Sequence, residues 1–117
     1  MFRFEELEIW QEAISYAKKI YKIAALFPRT ETYGLGDQVR RASVSISNNI
    51  AEGSGGTDKD FAKYLDIAVK STLETVNCLR LANEFGYITD KEEGLLYSDA
   101  EVMIKRTRAF KKSFNSH

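Results

Sequence analysis

Apolar residues recur along most of this chain at alternating spacings of three and four, which is the period of an amphipathic α-helix. The first periodic stretch covers about residues 5–26, and its apolar stripe is Leu7, Trp10, Ile14, Ala17, Tyr21 and Ala24. Pro28, the only proline, ends this helix because proline cannot continue one. A second stretch covers about residues 35–52 and ends at a run of glycines, Gly53, Gly55 and Gly56.

Two later stretches begin with a capping box, in which an N-cap threonine and an acidic residue three positions on satisfy each other's backbone N–H groups. Thr57 with Asp60 opens the third helix, which runs to about Phe85, and Thr89 with Glu92 opens the fourth. The stripe of the fourth helix is Leu96, Ala100, Met103, Thr107, Phe110 and Phe114. Four long helices with short links predict an all-α protein, an antiparallel up-down-up-down four-helix bundle that forms one domain over residues 1–117.

The second helix contains an unusual segment, since no charged residue occurs from Ala42 to Ala51 although 29% of the protein is charged. Its core face is Val39, Ala42, Ile46 and Ile50, and serines and asparagines occupy its other faces. One explanation is that this is the most buried helix, with its hydroxyls and amides bonded to neighbouring groups. The sequence favours another explanation, a contact with a second subunit, where an unpaired charge would be costly to bury.

The predicted subunit interface consists of Ser43, Ser45, Ser47 and Asn48. Replacing Ser45 or Ser47 by glutamate is then expected to break the assembly. A ligand site on the polar stripe of this helix is a third explanation.

Composition limits the function classes. The 17 basic and 17 acidic residues give zero formal net charge, so strong bulk attraction to nucleic acid or to a membrane is not expected. The acidic N-terminal stretch lacks the pattern of a signal peptide, and no apolar run approaches the roughly 20 residues that span a bilayer. With a single cysteine, Cys78, and no disulfide framework, the chain is predicted to be cytoplasmic, without a membrane partner.

The strongest electrostatic signal is a basic cluster on the fourth helix. The candidate nucleic-acid contacts are its members Lys105, Arg106, Arg108, Lys111 and Lys112, together with Arg40 and Arg41. Basic side chains on successive turns can follow a phosphate backbone. The alternative is a solvated helix end whose positive charge suits the helix dipole.

Catalytic and metal-binding constellations are missing from the sequence. The only histidine is His117, and no Glu-x-x-His motif of a di-iron bundle occurs. Glu52 and Glu74 are better interpreted as partners of arginines or buried amides than as an acid–base pair. The sequence therefore predicts a protein that is not an enzyme and uses no metal or other cofactor.

A longer motif runs from the first link through the second helix, FP..E.YGL..Q.RRA.VSI..NIAEG, and resembles the 23S rRNA intervening-sequence proteins, a family of four-helix bundles. Its central residues here are Arg40, Arg41, Ala42, Ser45, Ile46, Asn49, Ile50, Ala51, Glu52 and Gly53. The likeness continues in F..YL.IA..S..E from Phe61 to Glu74, and in FGYI from Phe85 to Ile88.

The resemblance implies a homopentamer without known catalytic activity, some members of the family being linked to ribosomal RNA genes and some relatives binding nucleic acid. The expected function is thus a self-assembling bundle that contacts structured RNA, and the alternative is an oligomeric scaffold for a protein partner. Relatives often carry arginine in the turn after the second helix, where this chain has Ser54, Gly55 and Gly56, which weakens any nucleic-acid role of that turn.

Overall fold

A computed structural model describes residues 1–115 and confirms the predicted all-helical bundle. The four helices are α1 (Glu8–Ala24), α2 (Leu35–Ser54), α3 (Asp58–Glu84) and α4 (Asp90–Lys112). Short 3-10 turns cover Arg3–Glu6, Arg29–Glu31 and Ser113–Asn115. The prediction that concerned His117 lies outside the described residues.

The helices pack in chain order, and α4 closes the bundle by returning to α1. Consecutive helices are antiparallel, since each link between them is short, and the bundle measures 48 × 22 × 20 Å. The start of α1, the end of α2, the start of α3 and the end of α4 therefore share one end of the bundle. This topology decides which of the candidate residues can act together.

Local capping chemistry sets the starts of α3 and α4 as predicted. The Asp60 N–H donates to Thr57 Oγ1 at 3.1 Å, and the Thr57 N–H donates to the Asp60 carboxylate at 3.3 Å. Thr89 and Glu92 exchange the same two bonds at 3.1 and 2.8 Å. After α3, Gly86 has φ of +78°, a left-handed conformation that glycine adopts without steric cost.

The predicted core stripe of α1 is wrong by one row. The side chains that α1 buries are Ile9, Ala13, Tyr16, Ile20, Ile23 and Ala24. Of the predicted stripe only Ala24 is buried, and Tyr21 is 49% exposed. The helix has two adjacent apolar rows, and periodicity cannot tell which of them faces the bundle axis. It also begins at Glu8 rather than Glu5, because Leu7 is extended, with φ of −81° and ψ of 127°.

The centre of the bundle contains one buried polar relay. The Thr75 hydroxyl donates to the Thr72 carbonyl at 2.6 Å, so the Tyr16 hydroxyl must donate to Thr75 Oγ1, at 2.8 Å. Burial is the main reason why the pKa of Tyr16 is raised to about 12. Among the described side chains, no buried nitrogen or oxygen lacks a hydrogen-bond partner, as expected of a well-formed core.

Candidate functional site

Three basic side chains of α4 form an exposed row. Lys105, Arg108 and Lys112 follow one another at spacings of three and four, so they lie on one side of the helix. All three are exposed, and none forms an ion pair within the described residues. We refer to Lys105, Arg108 and Lys112 as the basic row.

The other two members of the predicted cluster are already paired. Arg106 Nη1 donates to Glu12 Oε1 on α1 at 2.8 Å, and this carboxylate raises the pKa of Arg106. Lys111 Nζ donates to both carboxylate oxygens of Asp66 on α3, at 2.9 and 3.1 Å. These two residues tie α4 to its neighbours, and their charges are compensated within the chain.

Two lysines of α3 extend the positive surface beside the basic row. Lys63 and Lys70 lie one helical turn on either side of Asp66 and are exposed. The Asp66–Lys111 bridge fixes the height at which α3 and α4 meet, so both lysines flank this contact. Sequence reasoning missed them, because only the pairing of α3 with α4 brings them to the row.

Arg40 and Arg41 do not join this surface. Both lie near the start of α2, at the end of the bundle opposite to the basic row. Arg41 Nε donates to Asp37 Oδ2 at 2.9 Å, an ion pair across one helical turn, and Arg40 Nη2 donates to the Thr32 carbonyl at 2.8 Å. The seven predicted nucleic-acid contacts are therefore divided between two distant places.

The uncharged segment of α2 packs mainly inside its own chain. Ser43 is completely buried and donates to the Arg40 carbonyl at 2.7 Å. Ser47 is 7% exposed and donates to the Val44 carbonyl at 3.2 Å. Ser43 and Ser47 are thus buried within the chain, and of the four predicted interface residues only Asn48 is exposed.

Small residues of α2 allow α3 to approach closely. The hydroxyls of Ser45 and Ser71 are 2.8 Å apart, and Asn49 Nδ2 donates to the Ser45 carbonyl at 2.7 Å. A Cβ atom on Gly53 would lie 2.8 Å from Phe61 Cδ1 and from Tyr64 Cβ, too close for an ordinary contact. The family motif in α2 is in this respect a packing motif.

Glu31, in the link between α1 and α2, connects the start of α2 to the turn between α3 and α4. Its Oε1 accepts from the Leu35 N–H at 3.0 Å at the start of α2, and its Oε2 accepts from the Tyr87 hydroxyl at 2.8 Å in the α3–α4 turn. These bonds lower the pKa of Glu31, the backbone bond contributing most, and raise that of Tyr87. The motif FP..E.YGL contains Glu31, but the sequence did not reveal that Tyr87 is its partner.

Catalytic groups do not converge in the described part of the chain. No group of three or more histidine, cysteine, aspartate or glutamate residues is placed to hold a metal ion there. Cys78 is buried, and desolvation raises the pKa of its thiol to about 11, so it is protonated at neutral pH. Glu52 and Glu74 are both exposed on the surface. None of the described helices is both long and apolar enough to span a bilayer.

Known proteins support the resemblance seen in the sequence. The fold matches the crystal structure of a protein with unknown function from the S23 ribosomal protein family of Bacteroides thetaiotaomicron, with a TM-score of 0.81. The two chains are 24% identical, and the match covers 89% of this chain and 98% of the other, so the likeness shows the shared fold. No curated protein matches the chain. The family model of the 23S rRNA-intervening sequence protein matches residues 5–109, and the chain therefore belongs to that family.

Proposed function

We propose that this protein is a non-enzymatic, self-assembling bundle that contacts the phosphate backbone of structured RNA through the basic row. The observation that carries the proposal is that Lys105, Arg108 and Lys112 are exposed, aligned and unpaired, whereas Arg106 and Lys111 are engaged within the chain. The name of the family, 23S rRNA-intervening sequence protein, agrees with an RNA partner.

The row is suited to shape recognition rather than to reading bases. It spans two helical turns, about 10 Å along the axis, and Lys63 and Lys70 widen it toward α3. No exposed aromatic side chain lies within the row itself, so base stacking is not part of the proposed contact. Binding of this kind shows slight sequence preference and weakens steeply with salt, because it depends on the release of counterions from the nucleic acid.

Self-assembly would strengthen such a contact. One copy presents few phosphate-binding side chains, but several copies held together bind one long RNA with greatly increased apparent affinity. The resemblance implies five copies. Assembly is also supported by apolar side chains that stay exposed just beyond the end of α1 and on α4, among them Leu26 and Leu95.

The test is fluorescence anisotropy of a labelled, structured RNA titrated with the protein across a salt series. The decisive variant is Lys105→Glu/Arg108→Glu/Lys112→Glu. A matched control, Lys18→Glu/Arg29→Glu/Lys91→Glu, reverses three exposed basic residues elsewhere and changes the net charge by the same amount. We expect binding with a steep salt slope that is lost in the first variant and retained in the control.

Two results would overturn the RNA proposal. The first is no binding even at low salt. The second is an equal loss in both variants, because that would indicate attraction to bulk charge rather than to the basic row. Under either result the remaining candidate is an oligomeric scaffold for a protein partner, which the exposed apolar residues of α1 and α4 favour.

A further inference from the structure

A cavity of about 380 Å³ lies between the link that joins α1 to α2 and the first turns of α2. Residues of the stretch 24–32 form most of its wall, and α2 contributes a single side chain, that of Arg40. This size is within the range of about 300–1,000 Å³ that is typical of pockets for small organic molecules. We refer to this space as the link cavity.

Arg40 is a charged side chain of the link cavity with hydrogen-bonding capacity to spare. The residue is partly buried, and its Nη2 donates to the Thr32 carbonyl at 2.8 Å. Within the described residues its guanidinium makes no other hydrogen bond and no ion pair. Because no buried side-chain nitrogen of that part of the chain lacks a partner, the remaining N–H groups of Arg40 are open to solvent, on a side chain that lines the cavity.

The surrounding chain holds this guanidinium in place without neutralising it. A Cβ atom on Gly36 would lie 3.2 Å from Arg40 Nη1 and 2.8 Å from the Glu31 carbonyl oxygen, so the glycine leaves room for both. The Glu31 carboxylate also lines the cavity, but it accepts from the Leu35 N–H and the Tyr87 hydroxyl instead. An arginine fixed in this way loses little conformational freedom when a ligand binds, which favours affinity.

The other residues of the wall indicate the kind of ligand. Phe27 is 8% exposed, and Ala25 and Pro28 add further apolar surface. Arg29 lines the cavity as well, is exposed, and has no ion-pair partner in the described chain. Two guanidinium groups and the Glu31 carboxylate leave one positive charge. A ligand with one negative charge matches this balance, whereas a second negative charge would be repelled by Glu31.

We propose that the link cavity binds a small organic molecule that has one carboxylate group and an apolar body. The carboxylate accepts from the N–H groups that Arg40 has to spare, because a planar guanidinium matches the geometry of two carboxylate oxygens. The apolar body lies against Phe27 and Pro28. This site is separate from the RNA contact in the proposed function, since Arg40 is at the end of the bundle opposite to the basic row.

The experiment is a titration of the 15N-labelled full chain with benzoate, followed by NMR chemical shifts. A ligand of this size is expected to bind with a dissociation constant of about 1–10 mM. We expect saturable shifts of the backbone amides in the stretch 24–32 and of the Arg40 Nε–H group. Benzamide, which has the same shape without the charge, should cause no such shifts. Phenyl phosphate should bind more weakly than benzoate, because it is a dianion.

Two variants and a matched control locate the site. Arg40→Gln should lose the saturable response, whereas Arg41→Gln, which changes the neighbouring arginine that pairs with Asp37, should keep it. Ala25→Leu fills the link cavity from an exposed position and should also lose the response although Arg40 is retained. Thermal unfolding of all variants checks that they fold, and Ala25→Leu keeps the test decisive if Arg40→Gln does not.

Several results would overturn the proposal. One is the absence of a saturable response to benzoate in the parent chain. Another is an equal loss in Arg40→Gln and Arg41→Gln, which would indicate attraction to bulk charge. An unchanged response in folded Ala25→Leu would place the ligand outside the link cavity. Phenyl phosphate binding as tightly as benzoate would contradict the preference for a single negative charge.

Discussion

The helix pairs α2–α3 and α1–α4 are packed in opposite ways. Between α2 and α3, small residues such as Ser45 and Gly53 let the backbones approach closely, and polar side chains bond within the chain. Between α1 and α4, ion pairs such as Lys19–Asp99 bridge a groove that is open to water, and leucines beside them remain exposed. An uncharged helix face therefore does not by itself indicate a partner, since here it marks the most tightly closed contact.

The largest expected effect comes from a charge placed in the closed contact. Ser47→Glu buries an unpaired carboxylate where the parent side chain is 7% exposed, and should cost about 3–5 kcal/mol in the free energy of unfolding. Asn48→Glu, at the next residue, places the same charge in water and should change this free energy by less than about 0.5 kcal/mol. Denaturant unfolding measures both, and equal costs would contradict the burial of Ser47.

The second-largest loss of stability is expected at Gly53, where α2 approaches α3 closely. Gly53→Ala forces a methyl group against Phe61 and Tyr64 and should destabilise the bundle by about 1–3 kcal/mol. Gly94→Ala is the control, because Gly94 lies within α4 with nothing within 4 Å of the new methyl group. That substitution should stabilise the helix by about 0.4–1 kcal/mol. A stabilising Gly53→Ala would show that the two helices do not meet there.

Removing the Tyr16 hydroxyl and removing the Thr75 hydroxyl, which are hydrogen-bonded in the core, should change the stability by unequal amounts. Thr75→Val leaves the buried Tyr16 hydroxyl without an acceptor and should cost about 1–3 kcal/mol, whereas Tyr16→Phe loses one neutral bond, about 1 kcal/mol. Because the pKa of Tyr16 is raised from 10.0 to about 12, stability should also fall as the pH rises through that interval, and less so in Tyr16→Phe. Unfolding of both single variants and the double variant checks the coupling.

The ion pairs between α1 and α4 should contribute little to the free energy of unfolding. Lys19 and Asp99 are 55% and 38% exposed at the side chain, so Asp99→Asn should cost no more than about 1 kcal/mol, and less at high salt. Unfolding of the parent and the variant at low and high salt measures this difference. A cost that exceeds that of Gly53→Ala would reverse the contrast between the two contacts.

Glu31 offers the smallest effect, one that depends on pH. Its pKa is lowered in the folded protein, so its charge stabilises the fold above its ordinary value of 4.5, and this contribution is lost as the pH falls through the lowered pKa. Glu31→Gln should therefore have a lower Tm than the parent at neutral pH, and the two values should converge in acid. A difference in Tm that persists unchanged at pH 2 would contradict a role for the charge.

Features that depend on a few neighbouring residues could be predicted from the sequence. The capping boxes at Thr57 and Thr89 are local, and the structure has them as expected. The core row of α1 could not be fixed, because the rows of Ile9 and of Trp10 are both apolar and only packing against the other helices selects one.

The candidate site followed the same division between local and long-range information. The i, i+3, i+7 spacing alone placed Lys105, Arg108 and Lys112 on one side of α4. That Arg106 and Lys111 are paired, and that Lys63 belongs to the same surface, depends on residues of α1 and α3 far away in the sequence. That Ser43 and Ser47 are buried within the chain could not be predicted either, because it depends on how α2 packs against the other helices.

The measurement that tests the account most directly is a lysine-labelling footprint of the protein with and without structured RNA, read by mass spectrometry. The account predicts that RNA protects Lys105 and Lys112 on α4, together with Lys63 and Lys70 on α3, while Lys18 and Lys91 react as before. Protection of Lys18 or Lys91 with an unchanged basic row would contradict it, and would place the RNA on another face of the bundle.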